Sequence, residues 1–110
     1  MKGSHIHVGV KDFRSAVNWM DRVLKVKAVF SNDRMAVFHL GPFSVIVDEA
    51  DYDTTATIAL DSEDCQKDFD FVVQNGADVI EKPAKQHWGV IAAYFKGPGQ
   101  LTFEIEQVQK

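Results

Sequence analysis

The sequence is poor in cysteine, because Cys65 is the only one among its 110 residues. One cysteine cannot form a disulfide within the chain, which is typical of proteins from a reducing compartment. We therefore expect a cytoplasmic location. We interpret Cys65 as a small buried helix residue rather than as a nucleophile.

Long apolar segments and an excess of basic residues are also missing. No apolar run approaches the roughly 18 residues that a membrane-spanning helix needs, and the chain does not open on a signal-peptide pattern. Twelve Lys and Arg against sixteen Asp and Glu give a formal charge of −4. The sequence shows no basic patch of the kind that binds nucleic acid. We expect neither a membrane nor a nucleic acid among the partners.

The composition is that of one ordinary globular domain. Hydrophobic residues make up 45% of the chain, which excludes intrinsic disorder. A length of 110 residues fits a single domain. We expect residues 1–110 to form one domain that binds something small.

The first half of the chain predicts a strand, a helix and three further strands. Residues 5–10 place larger apolar side chains at every second position, which is typical of a half-buried strand. Asp12 is a candidate helix N-cap, and apolar residues recur behind it at spacings of three and four. Three short strand-like runs separated by turn residues predict a meander over residues 28–31, 35–40 and 43–48.

The second half repeats this order. Residues 57–60 alternate as a strand, Asp64 is a cap candidate 52 residues after Asp12, and the helix behind it ends at Asn75-Gly76. Strands follow near residues 78–81, 90–95 and 101–106. An internal repeat of this kind predicts that the two halves of the chain fold into modules of the same architecture. We predict an α+β protein with two tandem βαβββ modules, at about residues 4–50 and 55–108.

Strand alternation predicts which side chains face away from the helices. If Ile6 and Val8 pack beneath the first helix, His5 and His7 lie on the opposite, open face. The same argument places the polar residues Thr57 and Asp61 of one strand, and Thr102, Glu104 and Glu106 of the last strand, on open faces. The strand from residue 43 accepts either register, and one of them leaves Ser44, Ile46 and Asp48 on the open face.

Imidazole and carboxylate groups on one surface can hold a metal ion. They suit Zn, Fe, Mn or Ni, and a catalytic metal keeps positions open for substrate oxygens. A His-x-His strand also occurs as an ordinary pocket-lining strand. Both interpretations of His5 and His7 therefore stay open.

Several segments match one known family in the same order along the chain. A His lies seven residues before Asp12 in the opening strand and helix start, and Glu104 follows Pro98 by six residues. The other matching segments are Trp19-Met20 and residues 57–64, 74–77, 87–89 and 94–98. Together they resemble the glyoxalase/bleomycin-resistance/dioxygenase family, also called the vicinal oxygen chelate superfamily.

The resemblance implies a glyoxalase-like fold, in which paired modules form a concave, barrel-like mixed sheet around a small-molecule cavity, commonly in a homodimer. Metal-dependent members have four ligand positions. His5 matches the first and Glu104 the last, and Asp48 falls near the position on the fourth strand. Thr57 stands where the second module usually has a His, and a threonine hydroxyl is a poor neutral ligand for these metals. His7 lies one strand step from His5 on the same predicted face.

Two functions remain open. One is the binding of a small organic ligand, aromatic or cationic, in the cavity without a cofactor. The alternative is a lyase, isomerase or dioxygenase in which His5, Asp48 and Glu104 hold a divalent Zn, Fe, Ni or Mn ion, with Glu104 also acting as general base. The candidate ligand-binding residues are His7, Thr57, Trp88, His87, Phe38, Tyr94 and Phe95.

Overall fold

The computed structural model describes residues 1–108, which divide into two compact units. Module 1 ends at Thr54 and module 2 begins at Thr55. Each module has the same order of elements, a strand, a helix and three more strands, so the predicted tandem βαβββ repeat is confirmed. No helix in the described part of the chain is long and apolar enough to cross a membrane.

Module 1 is a four-stranded mixed sheet with one helix. Its strand order is β1-β4-β3-β2, with β1 parallel to β4 and the other pairs antiparallel. The elements are β1 (His5–Val10), α1 (Phe13–Val23), β2 (Phe30–Ser31), β3 (Met35–Leu40) and β4 (Phe43–Glu49).

Module 2 has the same topology. Its strand order is β5-β8-β7-β6, with β5 parallel to β8. The elements are β5 (Thr55–Asp61), α2 (Cys65–Gln74), β6 (Asp78–Lys85), β7 (Val90–Lys96) and β8 (Gln100–Val108).

Both helices begin where the sequence predicts. The Asp12 side chain accepts a hydrogen bond from the backbone N–H of Ser15, and the Asp64 side chain accepts one from the N–H of Lys67. These caps satisfy N–H groups that have no partner within the helix. The second helix ends at Gln74, and Gly76 follows it with φ +99°. This is a left-handed conformation that glycine adopts without steric cost.

Each core lies between one face of the sheet and the helix. In module 1, Val8, Val47 and Phe38 are buried on that face, together with Ala16 and Met20 of α1. In module 2 the equivalent side chains are Ile58, Phe95, Phe103 and Ile105, together with Cys65, Phe69 and Val72 of α2. Cys65 is buried as expected, and burial followed by the charges of Asp68 and Asp64 raises its pKa.

Two predicted strands have wrong bounds. Only Phe30–Ser31 of the run 28–31 pairs as a strand, and β6 continues from the predicted end at Glu81 to Lys85. Its register shifts between Val79 and Glu81 and again between Glu81 and Ala84, and it contains Pro83. Because β6 is an edge strand, a proline and irregular pairing are tolerated there.

Candidate functional site

The polar face of module 1 is the sheet face opposite α1. Strand register places His5 beside Ser44 and His39 in one row across β1, β4 and β3. Two more rows complete this face, His7–Ile46–Val37 and Gly9–Asp48–Met35. The predicted placement of His5 and His7 away from the core is confirmed, and β4 adopts the register that puts Ser44, Ile46 and Asp48 on the same face.

Asp48 fixes the orientation of the His7 imidazole. Nδ1 of His7 lies 2.8 Å from Oδ2 of Asp48, and the two side chains are 56% and 36% exposed. An ionised carboxylate only accepts hydrogen bonds, so Nδ1 carries the proton in this pair. In the neutral ring, Nε2 is then the nitrogen with a free lone pair.

The second imidazole of β1 is held in a similar way. Nδ1 of His5 lies 2.7 Å from Oγ of Ser4, and the His5 and His7 rings meet edge to face with their centres 5.1 Å apart. Both Nδ1 atoms of the pair therefore have hydrogen-bond partners within module 1.

Sequence reasoning missed His39, the third imidazole on this face. Its Nδ1 lies 2.9 Å from Oγ of Ser44. The available signal was strand alternation, because a strand over residues 35–40 that buries Phe38 turns its neighbour His39 to the other face.

The polar face of module 2, opposite α2, has carboxylates and a phenol where that of module 1 has imidazoles. Its central row is Ala59–Glu104–Tyr94, across β5, β8 and β7. The flanking rows are Asp61–Glu106–Ala92 and Thr57–Thr102–Lys96. Three carboxylates and one phenol thus lie on neighbouring rows, beside small side chains.

Glu104 is the one buried charged residue among the described residues, with 8% of its surface exposed. The hydroxyl of Tyr94 donates a hydrogen bond to its Oε2 over 3.0 Å. Burial raises the pKa of the Tyr94 phenol, and the hydrogen bond to Glu104 and the charges of Glu104, Glu81 and Glu106 raise it further. Tyr94 therefore stays a protonated donor.

Glu106, which strand alternation already places on the open face, has a perturbed carboxyl group and is a further candidate on this face. Burial raises its pKa, followed by the charge of Glu104, a hydrogen bond with the Glu104 side chain and the charge of Asp61. Its position two residues after Glu104 on a strand is the sequence signal, because alternate residues share a face.

Two of the predicted ligand-binding residues lie away from the polar faces. Phe38 and Phe95 are fully buried on the helix-facing sides of their sheets, and Phe95 stacks on Phe103 with ring centres 5.6 Å apart. Each lies between two open-face residues in the alternation, so neither contacts a ligand on a polar face without disruption of the core.

The other aromatic candidates lie in a turn. His87 and Trp88 follow β6 and contact each other edge to face, with ring centres 4.9 Å apart. Trp88 is 49% exposed. Their assignment as ligand-binding residues stays a prediction.

One of the four ligand positions that the resemblance implies does not suit a metal ion. Thr57 stands there and offers only a neutral hydroxyl, which is a poor ligand for these metals. Within neither module do residues 1–108 bring together three or more His, Cys, Asp or Glu side chains that could hold a metal ion.

A family model and solved structures resemble this chain over most of its length. The model of the Glyoxalase/Bleomycin resistance protein/Dioxygenase superfamily matches residues 3–105. No curated protein matches.

Three solved structures show the same α+β fold. A glyoxalase/bleomycin resistance protein/dioxygenase from Nocardioides has 12% identity and a TM-score of 0.87, over 100% of this chain and 85% of that one. A glyoxalase-related enzyme from Fulvimarina pelagi has 12% identity and a TM-score of 0.81, over 97% and 88%. TioX from Micromonospora sp. ML1 has 17% identity and a TM-score of 0.81, over 99% and 100%.

Proposed function

Because this chain belongs to the Glyoxalase/Bleomycin resistance protein/Dioxygenase superfamily, we propose that it binds a small organic cation on the polar face of module 2. The observation that carries the proposal is the buried carboxylate of Glu104, held by Tyr94 on a sheet face that its own helix does not cover. A buried charge is costly unless a partner of opposite charge or several hydrogen bonds compensate it.

The charge of the face supports a cation. Glu104 and Glu106 lie on one side of β8, and Asp61 is the strand partner of Glu106. The raised pKa of Glu106 reflects burial and the charge of Glu104, so a positive charge bound between them relieves their repulsion. The cation on this face, Lys96, lies in the row of Thr57 and Thr102 rather than in the carboxylate rows.

The shape of the face supports a small aromatic or alkyl group. Tyr94 is half-buried and offers one side of a phenol ring, against which a cation or an aromatic ring can pack. Its strand partner Glu104 is flanked on the other side by Ala59, whose methyl group leaves room above the sheet. Thr57 and Thr102 supply hydroxyl groups one row away.

Compounds of one size and different charge test this proposal. Calorimetric titrations with benzylamine, benzyl alcohol and benzoate compare a cation, a neutral molecule and an anion, and benzyltrimethylammonium separates charge from hydrogen-bond donation. We expect the two cations to bind and benzoate not to bind. Glu104→Gln should raise the Kd for benzylamine about tenfold, since it removes a charge-assisted hydrogen bond.

The glutamine variant keeps the shape of Glu104 and an oxygen that can accept from Tyr94, so it should fold; a urea melt checks this. The matched control is Glu49→Gln, which removes an exposed carboxylate of module 1 and should leave the Kd unchanged. Binding of benzoate as tight as that of benzylamine, or no binding by either cation, would overturn the proposal.

A further inference from the structure

A groove lies between α1 and the turn that joins β2 to β3. It consists of two adjoining cavities with volumes of about 380 and 290 Å³, and the larger is within the range of small-molecule sites, about 300–1,000 Å³. Phe13, Arg14 and Asp33 line both cavities, so the two form one continuous surface, which we call the α1 groove. The polar face is opposite α1, so the α1 groove is a separate surface of module 1.

Hydrogen bonds fix both walls of the α1 groove. At the start of α1, the Asp12 carboxylate accepts a hydrogen bond from the N–H of Ser15 over 3.1 Å. In the turn opposite, Oδ1 of Asn32 accepts from the N–H groups of Arg34 and Met35, each over 2.9 Å. Because both walls are held in this way, a ligand orders little of the backbone when it binds.

The charges around the α1 groove are balanced and available. Lys11 and Arg14 are basic, Asp33 and Glu49 are acidic, and all four are exposed. A fifth charge, that of Asp12, is already used in the helix cap. Within residues 1–108 the four remaining groups form no ion pair with one another. Two positive and two negative groups can therefore each meet an opposite charge on a ligand.

The floor of the α1 groove is apolar. Phe13 and Val17 are four residues apart on α1, so their side chains are neighbours on one side of the helix. Both are half-buried and line the smaller cavity, which leaves part of a phenyl ring and of a branched alkyl group facing the groove. An apolar group of a ligand can pack against this floor.

We propose that the α1 groove binds a zwitterion with an apolar side chain, the chemistry of a free aromatic or aliphatic amino acid. The Arg14 guanidinium pairs with its carboxylate, Asp33 pairs with its ammonium group, and its side chain packs on Phe13 and Val17. A ligand with one charge leaves one of the two anchors unpaired and lies beside a group of its own sign. This site is beyond the proposed function, and its residues are independent of those on the polar face of module 2.

Three molecules with the same phenyl group and two-carbon chain test the proposal. L-phenylalanine is the zwitterion, 3-phenylpropionate lacks its ammonium group, and phenethylamine lacks its carboxylate. Each is titrated at pH 7 into the ¹⁵N-labelled full-length protein, and amide NMR signals report where it binds. We expect L-phenylalanine to shift the signals of Phe13, Arg14, Val17 and Asp33, and the other two to bind there at least tenfold more weakly. Arg14→Gln and Asp33→Asn should each raise the Kd for L-phenylalanine about tenfold, since each removes a charge-assisted hydrogen bond.

Both substitutions are at exposed side chains and should leave the fold intact, which a urea melt checks. The matched controls are Arg22→Gln and Asp21→Asn, which remove exposed charges of α1 away from the groove and should leave the Kd unchanged. The proposal is overturned if Arg14→Gln binds L-phenylalanine like the unaltered chain. It is also overturned if 3-phenylpropionate or phenethylamine shifts the groove signals with an equal Kd, or if L-phenylalanine shifts only the signals of the Glu104 row.

Discussion

The hydroxyl of Tyr94 donates a hydrogen bond over 3.0 Å to Oε2 of Glu104, its direct strand partner on β8. This bond joins the buried carboxylate of module 2 to the aromatic ring beside it. It also holds the Glu104 side chain in place on the polar face.

Tyr94→Phe should destabilise the protein. The change removes the hydroxyl and leaves Oε2 of a buried carboxylate without that donor, which costs about 1–3 kcal/mol in the free energy of unfolding. Urea denaturation measures the loss. Tyr52→Phe, at an exposed tyrosine, is the control and should change stability by less than about 0.5 kcal/mol. Equal effects of the two substitutions would contradict this account of Glu104.

Glu106 should make stability depend on pH. Its pKa is raised in the folded protein, so the folded state holds a proton that the unfolded chain has released. The free energy of unfolding therefore falls as pH rises from the ordinary glutamate pKa, about 4.3, through the raised value. Glu106→Gln removes this pH-dependent contribution. The free energy of unfolding of the variant should therefore rise relative to that of the unaltered chain as pH rises across that window.

Urea melts at a series of pH values measure the effect of Glu106→Gln. Glu49→Gln serves as the exposed control and should show no such gain. The charged groups that face Glu106 are Glu104 and Asp61, and their charges contribute to its raised pKa. A difference between Glu106→Gln and the unaltered chain that shrinks with rising pH would be inconsistent with the raised pKa.

Gly97→Ala should destabilise more than Gly9→Ala. A Cβ on Gly97 would lie 2.8 Å from ring carbons of Phe103, which is fully buried and stacked on Phe95. Overpacking of this kind costs about 1–3 kcal/mol. A Cβ on Gly9 would lie 2.9 Å from Tyr52, an exposed ring that can move aside, and 3.0 Å from the Cβ of Ala50.

The matched control for both glycines is Gly3→Ala, because nothing lies within 4 Å of the added Cβ. Thermal or urea denaturation of the three variants ranks them. We expect the largest loss of stability for Gly97→Ala, a smaller one for Gly9→Ala and the smallest for Gly3→Ala. A larger loss for Gly9→Ala than for Gly97→Ala would contradict the prediction, because it would mean that the buried Phe103 ring moves aside more easily than Tyr52.

Lys25→Gly should stabilise module 1. Lys25 follows α1 at φ +58°, a left-handed conformation that costs a non-glycine residue about 1–2 kcal/mol. Glycine adopts this conformation without that cost but loses more backbone entropy on folding. We therefore expect the free energy of unfolding to rise by up to about 1 kcal/mol. Lys27→Gly, where φ is not positive, should give no gain. A loss of stability in Lys25→Gly would contradict the prediction.

Much of the fold follows from local patterns in the sequence. Asp12 and Asp64 marked both helix starts, and strand alternation placed His5, His7 and Thr57 away from the core. The bounds of β6 did not follow, because pairing with β7 carries an edge strand through Pro83 and two register shifts that local propensity disfavours.

The site was only partly predictable for a related reason. Glu104 and Tyr94 were candidates, but their direct pairing depends on the β7–β8 register, which strand alternation alone does not determine. The bond between His7 and Asp48 joins residues 41 positions apart. The burial of Phe38 and Phe95 on the helix-facing sides did not follow from the sequence, because an aromatic residue is equally compatible with a core and with a ligand site until its face is known.

The most direct test of cation binding by module 2 is a titration of ¹⁵N-labelled protein with benzylamine, followed by amide NMR signals. The largest shifts should fall on the residues around the Glu104 row, namely Ala59, Tyr94, Glu104 and Glu106, and should disappear in Glu104→Gln. Shifts confined to α2 or to the turn at Trp88, or none at saturating benzylamine, would contradict the central claim.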